Sequence, residues 1–287
     1  MNQTERQMLD LLRRGRDQFG VVAVKAEFEA EGTRPDELLR LLEMTQRADL
    51  KLALKIGGCE AVSDLLASKL YGVDYVVAPM VETPYALSKF IEAKDKTHSP
   101  DERSQTQFLF NLETETTLSN LEALVPIAKA GVDGIVFGRV DFTLSRGEPR
   151  SAVNDREITE AVKTVARTCA DHDLELVVGG SVSVDAVEAL REIRAVRLDR
   201  FETRKVVFDG AAIECANIFA GIANAVEFEL NWLRNKRGYY ATIAGEDDAR
   251  IGMMEARLQR PFVENAPGPD RTIERLQARA RANQAGT

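Results

Sequence analysis

Cysteine is scarce. Cys59, Cys169 and Cys215 are too few and too scattered across 287 residues for a disulfide framework or a zinc knuckle, and the expectation is a reduced, cytoplasmic setting. No apolar run approaches the roughly 20 residues of a membrane span. The opening residues 1–20, MNQTERQMLDLLRRGRDQFG, have amphipathic helical spacing and lack the apolar centre of a secretory signal. Positive charge is also in deficit: 38 Lys and Arg stand against 46 Asp and Glu, a formal charge of −8. Non-specific nucleic-acid binding therefore has no electrostatic support, and neither nucleic acid nor membrane is expected as a partner. Histidine is limited to His98 and His172, one in a loop leading into a strand and the other just after a helix, both expected in solvent. What remains is an ordinary globular composition, 44% hydrophobic and 29% charged, in a chain long enough for one large domain or two modest ones.

Short apolar runs alternate with helical patterns. Strands are predicted over residues 20–29, 50–57, 73–80, 106–113, 133–140 and 174–180, and the segments between most of them place apolar residues three and four apart. Such alternation predicts a parallel sheet with crossover helices. AVRLD and RKVVF, within 195–208, add a seventh and an eighth strand with no helix between them. Eight strands predict an α/β fold of the (β/α)8 TIM-barrel type, with the barrel and its N-terminal helix in residues 1–210. C-terminal helices that pack on the barrel or in an oligomer are predicted over 211–258, one ending near Gly238 and a second in EDDARIGMMEARLQ. Residues 259–287 read as a linker, Pro-rich in RPFVENAPGPD, followed by a tail.

Chemistry in such barrels sits at the carboxyl ends of the strands. TQFLFNLE ends at Glu113, and DGIVFGRV runs into Asp141, so two carboxylates are expected on adjacent strand tips at one face. Unpaired, they repel each other. A divalent cation converts that repulsion into a site, since hard oxygen ligands suit Mg²⁺ or Mn²⁺; helix capping is the alternative role for both.

The stretch FLFNLETETTLSNLEALVPIAKAGVDGIVFGRVDFTLSRG resembles the signature of the HpcH/HpaI aldolase/citrate lyase family, a strand ending in Glu, then a helix, then GvDGvfiGpnDLsaslG. GVDYVVAPMVETPYAL is similar to the family's preceding strand, which commonly ends in PMIET. The resemblance covers roughly residues 20–185. It implies a metal-dependent barrel that makes or breaks carbon–carbon bonds beside an enolate, with Glu113 and Asp141 holding Mg²⁺, or Mn²⁺ or Co²⁺. There are departures. Phe28, in VKAEFEAEG, stands where many members carry a proton-transferring His, and Lys55 in LKIGG matches a substrate-anchoring Arg. Arg139 replaces a usual Pro, and the family's first strand has no counterpart ahead of residues 20–29.

Further site candidates follow. Lys55 precedes Gly57 and Gly58 and is expected either as an anion anchor or as a surface lysine. Lys25, Glu27 and Glu29 share a strand parity and are expected either to tune proton transfer or to form a structural ion pair. Gly138, Arg139 and Glu82 are candidates for substrate binding. Arg139 has the alternative of pairing with Asp141 or Glu113, and Thr83-Pro84 beside Glu82 also reads as a helix start. Gly179, Gly180 and Ser181 offer either backbone donors to a phosphate or a plain turn. The expected activity is a metal-dependent (class II) aldolase-type lyase on a 2-oxo acid or acyl substrate, with Lys55, Glu27, Glu29 and Arg139 as catalytic candidates. Two alternatives stand beside it: a metal-free Schiff-base aldolase using Lys55 or Lys25, and a non-catalytic binding or regulatory barrel. The apolar helix around 211–233 predicts a homo-oligomer, a trimer or hexamer.

Overall fold

A computed structural model describes residues 1–259 and 271–284. The chain divides into two compact units, Met1–Lys236 and Arg237–Thr287. Helix α1 (Gln3–Phe19) leads into β1 (Val21–Glu27), and α2 (Pro35–Ala48) into β2 (Lys51–Lys55). Then come α3 (Val62–Leu70), β3 (Tyr75–Ala78), α4 (Pro84–Thr97), α5 (Pro100–Gln105) and β4 (Gln107–Leu112). α6 (Glu115–Ser119) and α7 (Leu121–Gly131) precede β5 (Gly134–Gly138); α8 (Arg139–Ser145) and α9 (Arg156–His172) precede β6 (Glu175–Gly179). α10 (Val187–Arg194) brings the chain to β7 (Arg200–Glu202) and β8 (Val206–Asp209), followed by α11 (Ile218–Leu258) and α12 (Arg271–Gln284).

The eight strands close into a barrel in sequence order. β1 to β7 run parallel, but β8 runs antiparallel to both β7 and β1. Chain length dictates this reversal. Only residues 203–205 separate the last two strands, enough for a hairpin, whereas a parallel return needs a crossover of about a dozen residues. The last strand thus closes the barrel against β1 from the opposite direction. Its hairpin turn lies at the mouth, beside the ends of the parallel strands.

Alternation along the strands sorts the core into two layers. Ala23, Ala53, Tyr75, Val77, Leu109, Val136, Val177 and Val207 fill the barrel interior, leaving a void of about 10 Å³, room for about one water. Nothing crosses this floor, so ligands are confined to an end. Residues of the opposite parity, among them Phe108, Phe110, Phe137 and Phe208, pack under the helices. At the closed end, Asp74, Asp133 and Asp199 repeat one device: each backbone N–H bonds a carbonyl of the preceding strand, and each carboxylate takes an N–H of the same residue, Leu52, Phe108 or Leu176. These three clamps hold register at the face opposite the polar tips.

Three boundaries differ from the sequence-based ones. The seventh strand is Arg200–Glu202, just after AVRLD rather than within it. The barrel unit continues past 210 to Lys236, because Ile218, Ile222, Ala225, Phe228 and Trp232 of α11 are buried. Helix α11 also runs through Gly238 and Gly245 without the expected break. The Pro-rich stretch 260–270 lies outside the described residues.

Candidate active site

The barrel mouth collects the charge that its floor excludes. Glu113 follows β4 directly, on the interior parity with Asn111, and is 1% exposed. Its Oε1 accepts the Met80 backbone N–H at 2.9 Å. Its Oε2 accepts the Asn111 amide and lies 3.2 Å from the Lys55 ammonium. Met80 offers that N–H from a left-handed backbone, φ +50°, a conformation that a non-glycine residue adopts only when its surroundings demand it. Asp141 comes from the next strand tip, in the first turn of α8. Its carboxylate makes no hydrogen bond or ion pair among the described residues. Although it lies at the solvent edge, burial of its carboxyl and then the nearby charge of Glu113 push it above the usual carboxylate range. Neither carboxylate caps a helix: Thr114 is the N-cap of α6, and Gly138 that of α8.

Lys55, at the tip of β2, is buried and bridges two carboxylates, Glu113 Oε2 and Glu29 Oε2, each at 3.2 Å. Burial alone would lower its ammonium, but Glu113, Glu29 and Glu27 outweigh that and raise it above the ordinary lysine value. A second cluster lies beside it. Lys25 Nζ is 2.5 Å from Glu202 Oε1 and 3.0 Å from Glu27 Oε1; there too the carboxylates overcome desolvation and hold the lysine charged. Burial would raise Glu27, but Lys25, Lys55 and Lys205 hold its carboxyl below the usual range. Glu29 lies past the end of β1 at the rim and is half-buried; its Oε2 takes the Lys55 contact and its Oε1 has no bonding partner among the described residues. The hairpin turn closes the lip, with Arg204 and Lys205 paired to Glu31 in the loop after β1.

Gly138 and Gly179 leave room for these carboxylates. A Cβ on Gly138 would stand 2.8 Å from Glu113 Cβ and 2.9 Å from its Oε2, and one on Gly179 would stand 2.9 Å from Glu202 Oε1. Gly138 therefore contributes space for Glu113 in the first instance. Arg139 departs most from expectation. It is 1% exposed, and its guanidinium donates to Gly179 O, Gly180 O and Asn154 Oδ1 at 3.2, 2.7 and 2.9 Å. Placed on an outward parity next to interior Gly138, it ties β5 to the tip of β6 and presents no free edge to a substrate or to Asp141. The Gly179-Gly180 turn likewise offers carbonyls to Arg139. Glu82 accepts from Thr114 Oγ1 at 2.7 Å, and Thr83-Pro84 does start α4, as N-cap and first turn. His98 is buried edge-on against Phe108 rather than in solvent, at the end away from the mouth; His172, the last residue of α9, is half-buried.

Phe28 packs against the barrel–helix layer, out of register with the polar tip. A His here would face apolar neighbours with no partner. Phe28 is half-buried, so Phe28→His is expected to destabilise the protein by about 1 kcal/mol, the low end of the penalty for an uncompensated polar group, with no gain in activity. Thermal unfolding together with a cleavage assay checks this, and higher activity at undiminished stability would refute the placement of Phe28. Asn111 and Met80 were not among the sequence-derived candidates. Asn111 was within reach, two residues before Glu113 on the same parity. Met80 acts through its backbone, which no side-chain pattern reveals.

Glu113 and Asp141 suit a divalent cation. Asp141 lacks a side-chain partner, and its carboxyl is raised first by burial and then by the charge of Glu113, which a cation would neutralise. Asn111 Oδ1 beside them is a buried acceptor with no hydrogen-bond partner. Among the described residues no group of three or more His, Cys, Asp or Glu side chains is arranged around a metal position. Two carboxylates fit Mg²⁺, which commonly takes one or two and fills its remaining positions with water and substrate. No helix among the described residues is long and apolar enough to cross a membrane.

The model of the HpcH/HpaI aldolase/citrate lyase family matches residues 38–198, a span that includes Lys55, Glu82, Glu113 and Asp141 but not Lys25, Glu27, Glu29 or Glu202. The fold is similar to that of the HpcH/HpaI aldolase from Desulfitobacterium hafniense DCB-2, with TM-score 0.56 at 12% identity over 72% of this chain and 84% of that one. An HpcH/HpaI aldolase/citrate lyase family protein from Burkholderia cenocepacia J2315 gives TM-score 0.53 at 13% identity, over 82% of this chain and 99% of that one. A variant of the citrate synthase SbnG gives 0.51 at 14%, over 68% and 81%. At these identities the likeness is one of fold. No curated protein matches the chain.

Proposed function

This chain belongs to the HpcH/HpaI aldolase/citrate lyase family, and we propose that it is a divalent-cation-dependent carbon–carbon lyase that acts on a 2-oxo acid or related carboxylate through its enolate. The observation that carries this is the pair of carboxylates on neighbouring strand tips, Glu113 held in place by three donors and Asp141 left without a partner. Mg²⁺, or Mn²⁺ or Co²⁺, held by these two residues would supply Lewis-acid stabilisation of the negative charge that develops on the substrate oxygen.

The chain's own residues do the rest. Lys55 holds the substrate carboxylate at the tip of β2, where a relative's Arg would stand. Glu29 Oε1 takes and returns the proton at the bond being broken, because Glu27 is kept charged by Lys25 and Phe28 is turned away. The apolar floor of the barrel leaves room for no more than about one water beneath the reacting atoms. Arg139 fixes the β5 and β6 tips that set the relation of Asp141 to Glu113.

A Schiff-base mechanism requires a free amine, and both candidate lysines lie between carboxylates that keep them charged. Borohydride treatment in the presence of pyruvate is expected to leave no adduct on Lys55 or Lys25, and EDTA is expected to stop cleavage of a hydroxy-2-oxo acid, with Mg²⁺ restoring it. Trapping of either lysine would overturn the cation-dependent mechanism. Cation binding without turnover of any 2-oxo acid or acyl substrate would favour the non-catalytic alternative. We also propose that copies of the chain associate through Phe219, Val226, Leu230 and Leu233, which are exposed on α11 within the barrel unit. Light scattering is expected to give the mass of a trimer or hexamer, and Leu230→Glu to reduce it.

A further inference from the structure

The positive charges in the mouth differ in what they are bound to. Lys25 is held by Glu202 and Glu27, Arg204 and Lys205 by Glu31, and Arg139 by backbone carbonyls and Asn154. Only Lys55 shares a carboxylate with the proposed cation site. Its ammonium contacts Glu113 on one side and Glu29 on the other, each at 3.2 Å, so it can give up one partner and keep a counter-charge. Glu113 Oε2 already accepts from Asn111 and Lys55, which uses both of its lone-pair directions, and Oε1 retains one beyond the Met80 bond. A divalent cation arriving at this nearly inaccessible carboxylate meets a positive charge that is already there.

We infer that Lys55 is a displaceable internal cation: it occupies Glu113 until a divalent cation binds, then withdraws to Glu29 and becomes available to an anionic ligand. This rests on the assignment of Glu113 and Asp141 as the cation site. It has a consequence for binding order. Around this point Glu27, Glu29, Glu31, Glu113, Asp141 and Glu202 face Lys25, Lys55, Arg204 and Lys205, so the cation-free mouth carries excess negative charge while its one transferable ammonium is shared between two carboxylates. A small carboxylate is repelled there. With the divalent cation in place, the local charge falls and Lys55 gains a free direction. The cation therefore binds first and the carboxylate ligand second.

Calorimetric titration tests both parts without relying on turnover. Mn²⁺ is titrated at pH 8 into the wild-type chain, Lys55→Met, Lys55→Gln and Glu113→Gln, each first shown to be folded by circular dichroism; oxalate is then titrated into the cation-free and Mn²⁺-loaded proteins. A positive charge this close to a carboxylate commonly lowers its affinity for a proton by about one to three decades, and a divalent cation meets the same repulsion. Lys55→Met, and Lys55→Gln should Met disturb folding, is expected to bind Mn²⁺ roughly tenfold to a hundredfold more tightly than wild type. Oxalate is expected to bind the wild type only after Mn²⁺, and to bind Mn²⁺-loaded Lys55→Met at least about tenfold more weakly than the loaded wild type. If Glu113→Gln loses Mn²⁺ while both Lys55 variants bind it no better than wild type, the cation site stands and the displacement idea falls. Tight oxalate binding to cation-free wild type also overturns it. If neither wild type nor the Lys55 variants bind Mn²⁺, the cation site itself is refuted and the inference with it.

Discussion

Replacing Asp141 with Asn, or Glu113 with Gln, is expected to lower the rate of carbon–carbon cleavage by roughly 10²–10³-fold, the range for losing one preorganised stabiliser of a developing oxyanion. Both changes keep side-chain volume and remove one negative charge. Asp141→Asn is the cleaner of the two. The Asp141 carboxylate makes no bond to the protein among the described residues, so an amide there should leave thermal stability unchanged while cation affinity falls by tenfold or more, at least the effect of losing an outer-shell partner. Glu113→Gln should in addition cost stability, because Lys55 then keeps Glu29 as its only carboxylate partner among its present contacts. Steady-state rates at saturating Mg²⁺, a Mg²⁺ titration and a melting curve on each variant separate these effects. Full activity in Asp141→Asn would remove that residue from the site.

A single methyl group should be nearly as damaging. Gly138→Ala places a Cβ 2.8 Å from Glu113 Cβ and 2.9 Å from Oε2, and Glu113 has little freedom to yield because Met80, Asn111 and Lys55 all hold it. The carboxylate must shift, and a displacement of about 1 Å in a positioned group can reduce rate by about 10²-fold. The expected phenotype is a folded barrel with weakened cation binding and a loss of activity of that order. Gly179→Ala makes an informative comparison, since its Cβ would strike Glu202 instead. It should disturb the Lys25 pair and spare cation affinity. Equal loss of cation affinity in both would mean that a general distortion of the strand tips, rather than the Glu113 contact, is responsible.

Much of the barrel was legible from local pattern. Apolar runs alternating with amphipathic segments locate the strands and crossover helices, because strand parity and helical period are properties of a few consecutive residues. The same locality places Glu113 and Asp141: each directly follows or closely trails a run that can only be a buried strand, and one crossover separates them. The sequence leaves no room for a helix between the last two strands, but only the closed sheet shows that β8 returns antiparallel and lies beside β1.

What the pattern could not decide is how the polar side chains at the mouth pair with one another. Lys55 meets Glu113 across 58 residues of chain, and Lys25 meets Glu202 across 177; barrel closure creates those contacts, and no window of sequence contains them. Arg139 illustrates the same limit. Its position beside Asp141 suggested a substrate contact, yet its parity turns it outward, where it donates to the carbonyls of Gly179 and Gly180 and to Asn154. Sequence by itself determined the architecture and the two acidic strand tips, since both depend on short-range periodicity. Tertiary structure alone decided which charges are already neutralised and which remain available, because in a closed barrel that depends on which distant strands become neighbours at the mouth.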